Sequence, residues 1–184
     1  MLNNSNRYNA IAIILHWIMA IAFFLMLASG LSFDNIAMAQ SFKFQLYQWH
    51  KSLGVLLIVA FALRIGWRLF HKPPQLPASF KKIDIIGAKL GHIALYALMI
   101  AMPLSGWAMV SSSPYGLPTI VFGWFEWPHI PRLSGDNFIN GLAKDAHWIM
   151  GWIFLSVIAI HIFAVIKHYK IDNENLIKRM WFKR

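Results

Sequence analysis

The sequence predicts an all-α protein, a transmembrane four-helix bundle with both termini in the cytoplasm. Three observations carry that prediction. The chain of 184 residues is 58% apolar and only 13% charged, about half the charged share of a soluble globular domain. Its apolar residues fall in four long runs. Its formal charge of +10 lies wholly on one side of those runs.

Ile11–Phe33 has His16 as its only ionisable side chain. Trp49–Phe70 is apolar apart from His50, Lys51, Arg64 and Arg68 near its ends. Leu90–Val110 contains only His92, and Ala146–Ile166 only His147 and His161. A hydrocarbon core of ~30 Å takes about 20 helical residues. Lipid offers the backbone no partners, so each run closes its hydrogen bonds internally as a helix. The expected spans are about 11–33, 46–70, 88–110 and 145–167, within one membrane domain over 1–184. Ala37-Met38-Ala39 resembles a signal-peptidase site. The apolar stretch before it exceeds the usual ~7–15 residues, so cleavage is not expected.

The connections sort the charge. Arg7, the stretch from Arg64 to Lys89 and the tail after Ile166 hold 13 Lys/Arg against 3 Asp/Glu. The opposite connections hold Lys43, Lys51, Arg132 and Lys144 against Asp34, Glu126, Asp136 and Asp145. The positive-inside rule places the basic side in the cytoplasm. Basic residues in short connections are a topology signal and a contact for anionic lipid, so nucleic acid is not an expected partner. With no cysteine, disulfides, thiolate zinc, iron–sulfur clusters and covalently attached haem are excluded.

Two connections have character of their own. His71-Lys72-Pro73-Pro74-Gln75-Leu76-Pro77 is expected to be extended. The segment 111–144 carries Tyr115, Phe122, Trp124, Phe125, Trp127 and Phe138, and is expected at the membrane interface or capping the outer end. Most of the nine tryptophans fit an interfacial belt. The sequence gives no clear internal repeat.

Five of the eight histidines lie in the spans. Intramembrane ionisable groups are costly and tend to face the interior with a function. His147 and His161 are 14 residues apart, which is roughly 21 Å along a helix and nearly the same face. The topology gives each a partner at its own depth: His50 with His147 outside, and His16 with His161 inside. Two facing imidazoles at each of two levels suit two haem b irons in a bundle core. Zinc wants three or four ligands at one depth, and no Asp or Glu lies in the spans. Gly54 and Gly151 each follow an outer histidine by four residues, and Gly30 and Gly106 follow His16 and His92 by 14. These glycines would leave room for a flat macrocycle, or for close helix packing.

At these residues the sequence resembles the bacterial cytochrome b561 family, which is similar in turn to the haem subunits of membrane hydrogenases and formate dehydrogenases. The matching pieces are Leu15-His16-Trp17, Trp49-His50-Lys51-Ser52-Leu53-Gly54 and Leu63-Arg64-Ile65-Gly66-Trp67-Arg68 with its Pro-rich sequel. Others are Gly91-His92, Leu95-Tyr96, Pro103-Leu104-Ser105-Gly106, His147 to His161 and His168-Tyr169. The resemblance implies a di-haem b cytochrome of the bacterial inner membrane that exchanges electrons with ubiquinone or another quinone. Its axial ligands carry over onto His16, His50, His147 and His161. Some members are similar to superoxide oxidases, with superoxide or a periplasmic donor as the source of electrons. The alternative is a non-catalytic anchor and electron-transfer subunit for a periplasmic redox enzyme. A homodimer is compatible with either.

Five further residues are candidates for supporting roles. His92 and His168 are expected to meet a quinone carbonyl or a haem propionate, and His92 competes with His16 as inner ligand. Arg64 and Arg68 suit propionates. Lys51 offers a local positive charge at the outer haem. His71 and His129 lie in connections and are expected to be ordinary polar residues.

Overall fold

The computed structural model describes residues 7–182. Lys183 and Arg184, part of the basic tail, lie outside the described residues. Four helices dominate: α1 (Ala10–Asn35), α2 (Gln40–Phe70), α3 (Lys82–Ser111) and α4 (Asn137–Lys170). All four are long and apolar enough to cross a membrane. Each contains its expected span and is longer than it, because the hydrogen-bond ladder continues through end turns that carry polar residues. The Asn9 side chain accepts from the Ala12 N–H at the start of α1, and Asp136 from Ile139 at the start of α4. Both satisfy donors that a helix start leaves open. Lys167 and Lys170 sit in the last turn of α4, where cations meet the negative end of the helix dipole.

Consecutive helices pack side by side, α1 on α2, α2 on α3 and α3 on α4. The core is small: Met19, Ala22, Phe23, Leu57, Leu98 and Phe154, with several methionines around it. Phe23 and Phe154 meet edge to face, centroids 4.9 Å apart, joining α1 to α4. Most apolar side chains point outward; only 6% of the apolar window of α4 is buried inside the bundle. Such a surface suits lipid and no aqueous solvent.

The end that carries both termini is tied together by polar contacts. Tyr8 N–H donates to the Arg179 carbonyl at 3.0 Å, and Trp17 Nε1 to that of Met180 at 2.7 Å. Arg179 donates to the Gln75 carbonyl, which fastens the extended Pro-rich connection to the tail. Lys167 Nζ bridges Asp84 (2.9 Å) and Asp172 (2.8 Å). Asp172 also accepts from His168 Nδ1 at 2.6 Å. The hydrogen bond from Lys167, with that of His168, holds the Asp172 carboxyl below the usual carboxylate range. A depressed acid stabilises the fold above its unfolded pKa of ~3.9, and that contribution is lost as pH falls through the lower folded value. Thermal melts in detergent should therefore fall more steeply below about pH 4 for the native protein than for Asp172→Asn. Equal pH profiles would refute this.

The opposite end is closed by a β-hairpin, β1 (Thr119–Val121) and β2 (Phe125–Trp127), paired antiparallel. Its turn takes positive φ at Phe122 (47°) and Gly123 (80°), the twist that matches a tight hairpin. The hairpin sits on α2. Lys51 Nζ donates to the Pro118 carbonyl at 2.7 Å. Ser52 Oγ donates to the Ile120 carbonyl and accepts from the Phe122 N–H, both at 3.1 Å. Trp107 donates to the Pro128 carbonyl, and Ser111 Oγ accepts from Ile130. The aromatic connection is thus a fastened cap over this end of the bundle.

Candidate functional site

Beneath the hairpin the His50 and His147 rings face each other, centroids 6.3 Å apart and planes inclined at 68°. The two surroundings match. His50 Nδ1 lies 2.7 Å from Ser29 Oγ, and His147 Nδ1 lies 2.9 Å from Ser105 Oγ. A Cβ on Gly30 would lie 3.7 Å from His50 Cε1, and one on Gly106 would lie 3.3 Å from His147 Cε1. A Cβ on Gly54 would meet the Met26 methyl, and one on Gly151 the Met102 methyl. A side chain at Gly106 would crowd the His147 imidazole, whereas one at Gly30 would only touch that of His50, and Gly54 and Gly151 face the flexible ends of methionines.

This matching exposes an internal repeat that the sequence reading missed. His92, Met102, Ser105 and Gly106 follow His16, Met26, Ser29 and Gly30 by the same 76 residues. His147, Gly151 and His161 follow His50, Gly54 and Arg64 by the same 97. So α1–α2 corresponds to α3–α4. No single sequence offset relates the two pairs, because the connections differ in length.

At the termini end the repeat is broken, because Arg64 stands where the other half has His161. Arg64 donates to His16 Nδ1 at 3.4 Å. The equivalent partners, His92 and His161, face each other with centroids 5.8 Å apart. His92 Nδ1 donates to the Ala88 carbonyl at 2.6 Å. The sequence pairs His161 with His16; the ring stacked edge-on against His161 is that of His92, while His16 lies against the Arg64 guanidinium. Arg64 Nε and Nη1 are buried and have no hydrogen-bond partner among the described residues. Arg68 donates to the Tyr96 hydroxyl at 3.3 Å and lies over its ring.

The remaining candidates are engaged elsewhere. His168 is 7% exposed. It stacks on Phe80 with its Nδ1 on Asp172 and its Nε2 3.9 Å from Asp84, so both nitrogens face carboxylates. The Lys51 ammonium is committed to the hairpin. His71 stacks on Trp67 at 3.8 Å and is an exposed polar residue. Sequence reasoning missed Ser29 and Ser105. Their signal was a Ser-Gly step in both α1 and α3, legible only once the repeat is aligned.

The donor sets fit an axially ligated iron. Two imidazoles bound to one metal at roughly 2 Å each place their centroids roughly 6 Å apart, close to the separations at both ends. Among the described residues no group of three or more His, Cys, Asp or Glu is arranged to hold a bare metal ion, whereas haem iron takes two protein ligands or one. The partnerless guanidinium nitrogens suit a carboxylate such as a propionate. Four membrane-length helices with paired interior imidazoles define the class, an integral membrane cytochrome. Residues 7–183 match the family model for prokaryotic cytochrome b561, and the chain belongs to that family. The family implies haem b and electron transport, in a multi-pass protein of the inner membrane. Cytochrome b561 homolog 2 of Escherichia coli is 32% identical, covering 97% of this chain and 93% of the relative. The protein named probable superoxide oxidase CybB of Yersinia pestis is 25% identical, covering 97% of each. Cytochrome b561 homolog 1 of Escherichia coli is 24% identical, covering 97% of this chain and 99% of the relative.

Proposed function

We propose that the chain carries electrons across the membrane through two b haems and delivers them to quinone. The observation that carries this reading is the pairing of interior imidazoles at both ends of one bundle. The basic, termini-bearing end faces the cytoplasm, and the hairpin end faces out. His50 and His147 would hold the outer haem, and His161 with His16 the inner one. A second reading of the inner pair replaces His16 with His92, favoured by the 5.8 Å ring separation and the Nδ1 bond to Ala88. Haem b, when bound, supplies one-electron iron chemistry at each level. The partnerless Nε and Nη1 of Arg64 would suit a propionate, and the hairpin covers the outer level.

Superoxide is the donor that suits a chain acting alone. Two superoxide ions give two electrons and leave as dioxygen, and those electrons with two protons from the cytoplasm convert ubiquinone to ubiquinol. The relative named a probable superoxide oxidase supports that reading. The exposed aromatic tip, with Trp124 86% and Tyr115 80% exposed, favours a second one, an electron-transfer subunit that docks a periplasmic enzyme. The deciding experiment is a reduced-minus-oxidised spectrum with pyridine-haem quantitation, followed by superoxide-driven reduction of added ubiquinone. Two b haems per chain and turnover by the purified chain are expected. No haem after expression with ample supply would overturn the reading. Two haems without superoxide turnover would favour the docking role.

A further inference from the structure

We propose that Ser29 and Ser105 are positioning residues for the outer haem, each accepting the Nδ1–H of the axial imidazole beside it and so tuning the iron's potential. This rests on the haem reading above and deepens it. A serine hydroxyl has one proton and two lone pairs. The Ser29 hydroxyl gives its proton to the Met26 carbonyl at 3.0 Å, and the Ser105 hydroxyl to the Met102 carbonyl at 2.7 Å. Each hydroxyl then has only lone pairs to offer its histidine, at 2.7 Å and 2.9 Å. Both imidazoles therefore carry their proton on Nδ1, which leaves the Nε2 lone pair for a metal.

Back-bonding to a carbonyl one turn earlier is common for serine in helices, and by itself would mean nothing. Two features make these serines particular. They occupy equivalent places in the two halves of the repeat, each next to a glycine that lies against the same imidazole. The termini-end histidines lack them: His92 uses the Ala88 carbonyl, and His16 meets the Arg64 guanidinium.

The consequence is electronic as well as steric. An acceptor on Nδ1–H fixes ring and tautomer and raises the basicity of the ligand nitrogen. A more basic ligand favours ferric iron, so each serine holds the outer potential down. Removing one acceptor should favour the reduced form about tenfold, a rise of ~59 mV for one electron.

The test is a potentiometric titration of the purified holoprotein, with haem quantitation on each sample. The component missing from His50→Ala identifies the outer haem. Ser29→Ala and Ser105→Ala should each raise its potential and leave the inner one in place. The double variant should move it roughly twice as far, and Ser29→Thr with Ser105→Thr should restore it, since threonine keeps the hydroxyl. Loss of the outer haem in the alanine variants, regained with threonine, would equally support positioning. Two bound haems with an unmoved outer potential would overturn the proposal, as would a loss that threonine does not repair. Native protein without haem would instead bring down the haem reading itself, before any serine variant is compared.

Discussion

Replacing His161 with alanine should leave one haem per chain instead of two and stop electron delivery to quinone. The effect is large because both readings of the inner site use this residue. Its ring faces His92 at 5.8 Å, and it is the inner-level imidazole of α4. His147→Ala should remove the other haem, since that ring is half of the hairpin-end pair. The double variant should bind none, because α4 gives one ligand to each level. His16→Ala and His92→Ala then separate the inner readings, as whichever costs a haem is the second ligand. Visible spectra with pyridine-haem quantitation read all five variants. Two haems retained in His161→Ala would refute the assignment of that level.

Much of this was legible beforehand, and physics says which part. The four spans were legible because lipid demands about 20 apolar residues in a row, a pattern that survives without any tertiary knowledge. Pairing His50 with His147 needed only depth, topology and helix pitch. The hairpin was not legible. Its strands are three residues long, and its turn puts Phe122, a bulky residue, at positive φ, where turn rules expect glycine or asparagine. The repeat was hidden by unequal connections. The inner set was only half legible, because three histidines and Arg64 share one level and spacing alone does not rank them. Lys51 and His168 are site candidates by their chemistry alone; spacing does not show that Lys51 also holds the hairpin at Pro118 or that His168 lies between Phe80 and two carboxylates.

Phe154 links the two levels. It lies seven residues from both His147 and His161, is 1% exposed and meets Phe23 edge to face. Truncation to alanine should cost about 3–5 kcal/mol, toward the lower end because lipid is as apolar as the core and only packing is lost. Phe163 is on the same helix but 69% exposed, so Phe163→Ala should change stability by no more than about 0.5 kcal/mol. The contrast separates packing from apolar content, since both substitutions remove the same side chain. Unfolding followed by haem release in detergent should show a much lower transition for Phe154→Ala alone. Because that side chain braces α4 midway between its two histidines, both haem signals should be lost together. Equal losses for the two variants would mean that hydrophobicity, and not packing at Phe154, holds α4 in register with its partners.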